Sequence, residues 1–167
     1  MTETTQTGVT THVYRVYIKA TPQAIWDAIT QPEWSRQYGY GGDVEYDLRP
    51  GGAFRALASE AMRAHGGPEV AVDGEVIEAD PPHRLVQTWR MLMDPSLEAE
   101  GFTRLTYEIQ ETPAGTKLTV THELDGAPGL AQLLSGGLEA EGAGGGWAWV
   151  LSDLKSVLET GGALGPK

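Results

Sequence analysis

Two side chains of this sequence combine a group able to move or hold a proton with a place on an apolar strand face. His122 alternates with Leu118, Val120 and Leu124, the period of two that sends residues to one side of a strand. An imidazole there has the pKa range of a general base. Tyr107 shares an inward set with Leu105 and Ile109 and would hold a substrate oxygen. A cyclase or dehydratase built on this pair needs both groups within hydrogen-bond reach across one cavity. The other reading of His122 is a core histidine satisfied by a tyrosine or a backbone carbonyl, because no acidic partner is fixed beside it by sequence. His12 is inward on its own strand and carries the same two readings, whereas His65 and His83 stand in Gly- or Pro-rich turns.

Other chemistries lack their residues. The chain has no cysteine, which removes disulfides, thiolate nucleophiles and cysteine-held metals. No two-His helix pair or Asp-rich calcium loop is present, so neither a metal nor any other cofactor is expected. Ser135 has Leu133 rather than Gly two residues before it, against a nucleophile elbow. Gly142, Gly144, Gly145 and Gly146 follow a loop and no Lys comes after them, so they read as a flexible helix entry or a pocket hinge, not a phosphate cradle. Arg55, Arg90 and Arg104 fall on the outward sides of their strands, which leaves no arginine to bind a carboxylate inside.

The balance of 23 acidic against 12 basic side chains gives a formal net charge of −11. Phosphate backbones and anionic lipid surfaces are repelled by such a charge, so nucleic acid and membranes are not expected partners. The N-terminal ten residues are polar and lack a signal-peptide pattern, and no stretch approaches the roughly 18 to 20 apolar residues of a membrane helix. A cytoplasmic protein is expected.

The elements that would position these side chains follow from periodicity and punctuation. His12 to Lys19 alternates as a strand. Thr21-Pro22 is an N-cap followed by Pro at the first helical position, ahead of an apolar face of Ala24, Ile25, Ala28 and Ile29. Pro32 starts a second short helix through Trp34. From Val44 to Leu124 strands alternate with turns at Pro50-Gly51-Gly52, Pro81-Pro82, Asp94-Pro95 and Pro113-Ala114-Gly115, making about seven strands in all. A short helix is expected near Leu130 to Leu134. Gly146 to Thr160 then carries Trp147, Val150, Leu151, Leu154, Val157 and Leu158 at helical spacing, with Ser152, Asp153, Lys155, Ser156 and Glu159 on the other side and Gly161 as the stop.

Helices do not alternate with strands, so the class is α+β: a curved antiparallel sheet around the C-terminal helix. The inward residues Tyr46, Phe54, Trp89, Leu105, Tyr107 and His122, with Trp147 and Leu151 opposite, are large and partly polar. Such an interior is either a packed core with its own polar network or a space for a hydrophobic small molecule. Trp34 and Tyr38, with Tyr40, would stand at its mouth.

The run His12-Val13-Tyr14-Arg15-Val16-Tyr17-Ile18-Lys19-Ala20-Thr21-Pro22, then Ile25-Trp26 and Pro32-Glu33, resembles the START-like superfamily, also called SRPBCC or the polyketide cyclase and lipid-transport clan. Gly74-Glu75-Val76, Asp80-Pro81-Pro82-His83-Arg84-Leu85, Gln87-Thr88-Trp89 and the ending Gly146-Trp147 to Gly161 are similar to its group related to the C-terminal domain of heat-shock-protein-90 ATPase activators. The glycine-rich segment from Ala127 to Gly145 departs from that pattern. The resemblance implies a helix-grip fold and one START-like domain over 1–167, ordered from about 12 to 161; the polar start and the glycine stop predict flexible tails at 1–10 and 163–167. It implies a hydrophobic, aromatic or polyketide- or lipid-like ligand. It also admits a cyclase with His122 as acid/base, a self-resistance protein that sequesters an antibiotic, a chaperone partner, or a homodimer, because members of one fold do all of these.

Overall fold

Alternating apolar and polar side chains build seven antiparallel strands, and proline- or hydroxyl-capped segments build the helices between them, in the computed structural model that describes residues 10–141 and 144–164. Residues 1–9 and 165–167 of the expected tails, and Gly142 of the glycine run, lie outside the described residues. β1 is Thr11–Ile18, followed by α1 Pro22–Thr30 and α2 Pro32–Ser35. β2 Val44–Tyr46 and β3 Ala53–Leu57 precede α3 Glu60–Ala64; β4 Val70–Asp80 and β5 Arg84–Met91 precede α4 Pro95–Glu98. β6 Thr103–Thr112 and β7 Gly115–Glu123 complete the strands, and α5 Pro128–Leu134, a 3₁₀ turn at Glu139–Glu141 and α6 Gly146–Thr160 close the chain.

The sheet order is β1-β7-β6-β5-β4-β3-β2, so β2 to β7 form a meander and β1 joins its far edge. Register shifts at Ala56/Leu57 and between Val76 and Glu78 bend the β3, β4 and β5 ribbon, as bulges do. The sheet thereby curls, and α6 lies in the curl in the expected helix-grip arrangement. A single apolar cluster joins Ile25, Trp26 and Ile29 of α1 to Ile18, Leu85, Leu118 and Val120 of the sheet and to Leu151 and Leu154 of α6.

Capping explains the short helices. Thr21 Oγ1 accepts the Ala24 N–H at 3.1 Å at the start of α1. The two helices not anticipated, α3 and α4, begin the same way: Ser59 Oγ accepts the Met62 N–H at 3.3 Å and Asp94 Oδ1 accepts the Ser96 N–H at 2.8 Å. At the entry to α6, Gly146 has φ +72° and a Cβ there would come 2.1 Å from the Leu134 carbonyl oxygen. Only glycine allows α6 to start against the end of α5. Gly161, at φ 81°, ends α6 as the glycine stop predicts.

One side chain of α6 departs from the amphipathic reading. Asp153, assigned by periodicity to the polar side, is fully buried. Its Oδ2 accepts the Gly39 N–H and its Oδ1 the Leu164 N–H, each at 2.8 Å. The turn at Gly39 and the chain beyond α6 fold over what the helix alone presents as a solvated face. Lys155 and Glu159 do remain outside, where the Lys155 ammonium donates to the Tyr17 carbonyl at 2.6 Å and Glu159 accepts the Lys19 N–H at 2.7 Å. An ion pair thus blunts the C-terminal end of the β1 edge.

Candidate functional site

The inner faces of the strands and the apolar stripe of α6 do not meet everywhere. Between them lies a cavity of about 220 Å³. Tyr46 of β2 and Phe54 of β3 form one wall with ring centroids 4.7 Å apart. Trp89 and Met91 of β5, Tyr107 of β6 and Leu118 of β7 continue it, and Trp147, Val150, Leu151 and Leu154 of α6 form the roof. The Tyr38 to Gly42 segment, Met62 of α3 and Met93 line the remaining side. Tyr40 there is 46% exposed and its ring lies 5.4 Å from that of Trp149, which makes this side the mouth.

Among the described residues the wall contains no Asp, Glu, Lys, Arg or His. Its polar atoms are mostly committed. Ser35 Oγ donates to the Gly42 carbonyl at 2.9 Å and accepts the Val44 N–H at 3.1 Å. The Tyr38 hydroxyl donates to the Ala28 carbonyl at 2.9 Å, and the Tyr46 hydroxyl donates to Oε1 of the fully buried Gln87 at 2.6 Å. Burial pushes the Tyr38, Tyr46 and Tyr107 hydroxyls above the ordinary tyrosine range; Tyr107 and Tyr38 raise Tyr46 further, against the hydrogen bond to Gln87. All three stay neutral phenols at physiological pH.

His122 stands behind this wall. The Trp147 indole N–H can only donate and meets His122 Nδ1 at 3.1 Å, so the ring proton belongs to Nε2. Nε2 lies 2.7 Å from Thr103 Oγ1, which in turn donates to the Trp89 carbonyl at 2.8 Å. The imidazole also meets Trp89 edge-on, with centroids 5.2 Å apart. It is fully buried, and burial, with the nearby His12 as a smaller cause, pushes its pKa down to about 3. One ring nitrogen is spent on the Trp147 indole and the other on Thr103, whose hydroxyl ties down the Trp89 backbone; both tryptophans line the wall. This is the arrangement of a positioning histidine, not of a base facing a substrate.

The structure therefore brings together Tyr46, Phe54, Trp89, Tyr107, Trp147 and Leu151 on one cavity, with Tyr38 inside it, whereas Leu105, His122 and Trp34 are not among the residues that line it. Leu105 is fully buried in the core and Trp34 packs partly buried against it. The pairing of His122 with Tyr107 that catalysis would require is not made across this space. Sequence reasoning missed Met91 and Met93, although they continue the period of two from Trp89. It also missed Met62, which the Ser59 cap brings to the mouth. The expected outward arginines are held outside: Arg90 donates to both carboxylate oxygens of Asp73 at 3.0 and 2.8 Å and lies over the Phe102 ring, and Arg55 pairs with Glu45.

Among the described residues no group of His, Asp and Glu is placed to hold a metal ion, and no helix is long and apolar enough to cross a membrane. A family model described as Activator of Hsp90 ATPase homolog 1-like protein matches residues 19–159. The fold is that of solved proteins of low identity. Protein MLL2253 from Mesorhizobium loti superposes with a TM-score of 0.64 at 22% identity, over 89% of this chain and 96% of that one. CalU16 from Micromonospora echinospora gives 0.58 at 21% identity, over 89% and 77%. The Aha1 dimer from Colwellia psychrerythraea gives 0.62 at 19% identity, over 91% and 98%. A search of the curated proteins finds no match.

Proposed function

We propose that this chain, which belongs to the Activator of Hsp90 ATPase homolog 1-like family, binds a small aromatic molecule in the cavity beneath α6 and carries it without transforming it. One observation supports this reading above the others: a cavity of about 220 Å³ walled by aromatic rings and methionine side chains, with no charged group among the described residues that line it. An apolar cavity of ~150 Å³ is known to stay dry and to take benzene. By that scale this one accepts a molecule of one or two fused rings, smaller than a typical drug-sized or polyketide ligand. Methionines at the mouth suit entry, because their unbranched chains repack at low cost. Carriage is favoured over a His122-based cyclase by the partners that engage both nitrogens of that ring behind the wall.

Naphthalene tests the reading. At about ten times its Kd a ligand that binds only the folded chain adds about 1.4 kcal/mol, and a chain of this length then melts roughly 3 to 6 °C higher. Ala71→Phe places a ring in the cavity and should abolish that rise. If naphthalene near its solubility limit moves neither the melting midpoint nor the tryptophan fluorescence of the unmodified protein, the reading is wrong.

A further inference from the structure

The cavity wall is uneven in how its polar hydrogens are used. The hydroxyl protons of Ser35, Tyr38 and Tyr46 and the indole proton of Trp147 all go to protein acceptors. For the Tyr107 hydroxyl and the Trp89 indole N–H, on residues that line the same wall, the described residues offer no acceptor, and neither atom is among the fully buried unsatisfied ones, so both are reachable from the cavity. Tyr107 is packed edge-on against Trp147, with centroids 6.1 Å apart, and lines the cavity. Donors that water can reach from the cavity are hydrogen-bonded by it, and an occupant that displaces that water without bringing an acceptor forfeits the hydrogen bond. A wall that leaves donors over is matched by an occupant that brings an acceptor.

The sign of that acceptor is also constrained. Among the described residues no cation stands in the wall, and the formal charge of the whole chain is −11. A carboxylate or phenolate placed here would lose its hydration with no opposite charge in return, which is costly in an apolar site. A carbonyl keeps its oxygen lone pairs without that penalty.

Resting on the ligand-binding reading above, we infer that the cavity selects neutral aromatic ketones, aldehydes or similar carbonyl compounds over hydrocarbons and carboxylates of the same shape, and that the Tyr107 hydroxyl is the group that reads the carbonyl oxygen.

Acetophenone, α-methylstyrene and benzoate share one skeleton and differ in whether the trigonal carbon on the ring is a ketone carbonyl, an alkene carbon or a carboxylate. Calorimetric titration of each into the unmodified protein and into Tyr107→Phe gives the test. Comparing the same ligand across the two proteins cancels its own hydration, so the ratio isolates the hydroxyl. Acetophenone should lose about three- to tenfold in affinity in Tyr107→Phe, the worth of one neutral hydrogen bond, while α-methylstyrene should not lose. Benzoate should bind at least about 100-fold more weakly than acetophenone to the unmodified protein. In infrared spectra, the carbonyl stretch of bound acetophenone should lie below its value in an alkane and return toward that value in Tyr107→Phe. The lowered stretch is read in the unmodified protein, so that part of the test does not depend on the variant folding.

An unshifted carbonyl stretch, an equal loss for acetophenone and α-methylstyrene, or benzoate binding as tightly as acetophenone overturns the inference while leaving the cavity a binding site. Failure of both acetophenone and α-methylstyrene to bind the unmodified protein overturns the binding reading and this one with it.

Discussion

At His122 a proton has nowhere to go without breaking something. Protonating Nδ1 turns the acceptor of the Trp147 N–H into a second donor facing a donor. The consequence is a pH dependence of stability. With a pKa near 3 in the folded state against 6.5 in the ordinary range, the unfolded chain binds the proton first as pH falls. The contribution of His122 is therefore complete above about pH 6.5 and is lost progressively toward pH 3, at up to about 1.4 kcal/mol per pH unit. His122→Gln keeps one acceptor and one donor but does not titrate. Urea unfolding in steps between pH 6 and pH 4 should show the unmodified protein losing stability more steeply than His122→Gln, and parallel slopes would mean that the imidazole is already charged or open to water. Sequence legibility at this scale was partial. Alternation correctly places His122 inward with Val120 and Leu118, yet inward on a strand does not distinguish a residue on the cavity wall from one a layer behind it.

Among the elements, α6 carries the most information. Its apolar stripe of Trp147, Leu151, Leu154 and Val157 is buried as the helical period requires. Asp153 lies one position from that stripe and is buried as well, because two backbone N–H groups distant in sequence converge on its carboxylate. Leaving a buried backbone donor without its acceptor costs about 1 to 3 kcal/mol. Asp153→Ala is accordingly expected to lower stability by at least about 2 kcal/mol, and amide hydrogen exchange at Gly39 and Leu164 should accelerate. A loss under about 0.5 kcal/mol, within the range of ordinary surface substitutions, would show that the carboxylate does not tie the Gly39 turn to α6. Since that turn forms part of the cavity mouth, the same carboxyl group anchors the entrance to the roof. The helical wheel of α6 contains no trace of this, for the partners belong to other parts of the chain.

For the whole molecule, the net charge of −11 sets a long-range term that no single contact shows. The exposed ion pairs, such as Arg36 with Asp43 at 3.0 Å and Arg84 with Glu108 at 2.6 Å, act well inside a Debye length of about 10 Å at 0.1 M salt, whereas the mutual repulsion of the excess acids acts beyond it. Salt screens the repulsion first. Raising sodium chloride from about 10 mM to about 150 mM should therefore raise the thermal midpoint, and a fall would show that the local pairs dominate. Family membership belongs to this scale as well. It accounts for the curved sheet and the gripped helix, while identities below 25% to solved neighbours leave the ligand to be argued from this chain's own wall.

Periodicity, caps and glycine stops are local, and the sequence by itself determined what depends on them: seven strands, the α1 and α6 boundaries, the inward identity of Tyr46, Phe54, Trp89 and Tyr107, and the outward arginines. Depth is not local. Whether an inward side chain meets empty space, as Tyr107 does, another side chain, as His122 does, or a distant backbone, as Asp153 does, depends on how far the bulged strands curl and where Gly146 lets α6 begin. Those are sums over the whole sheet, and only the tertiary structure decided them.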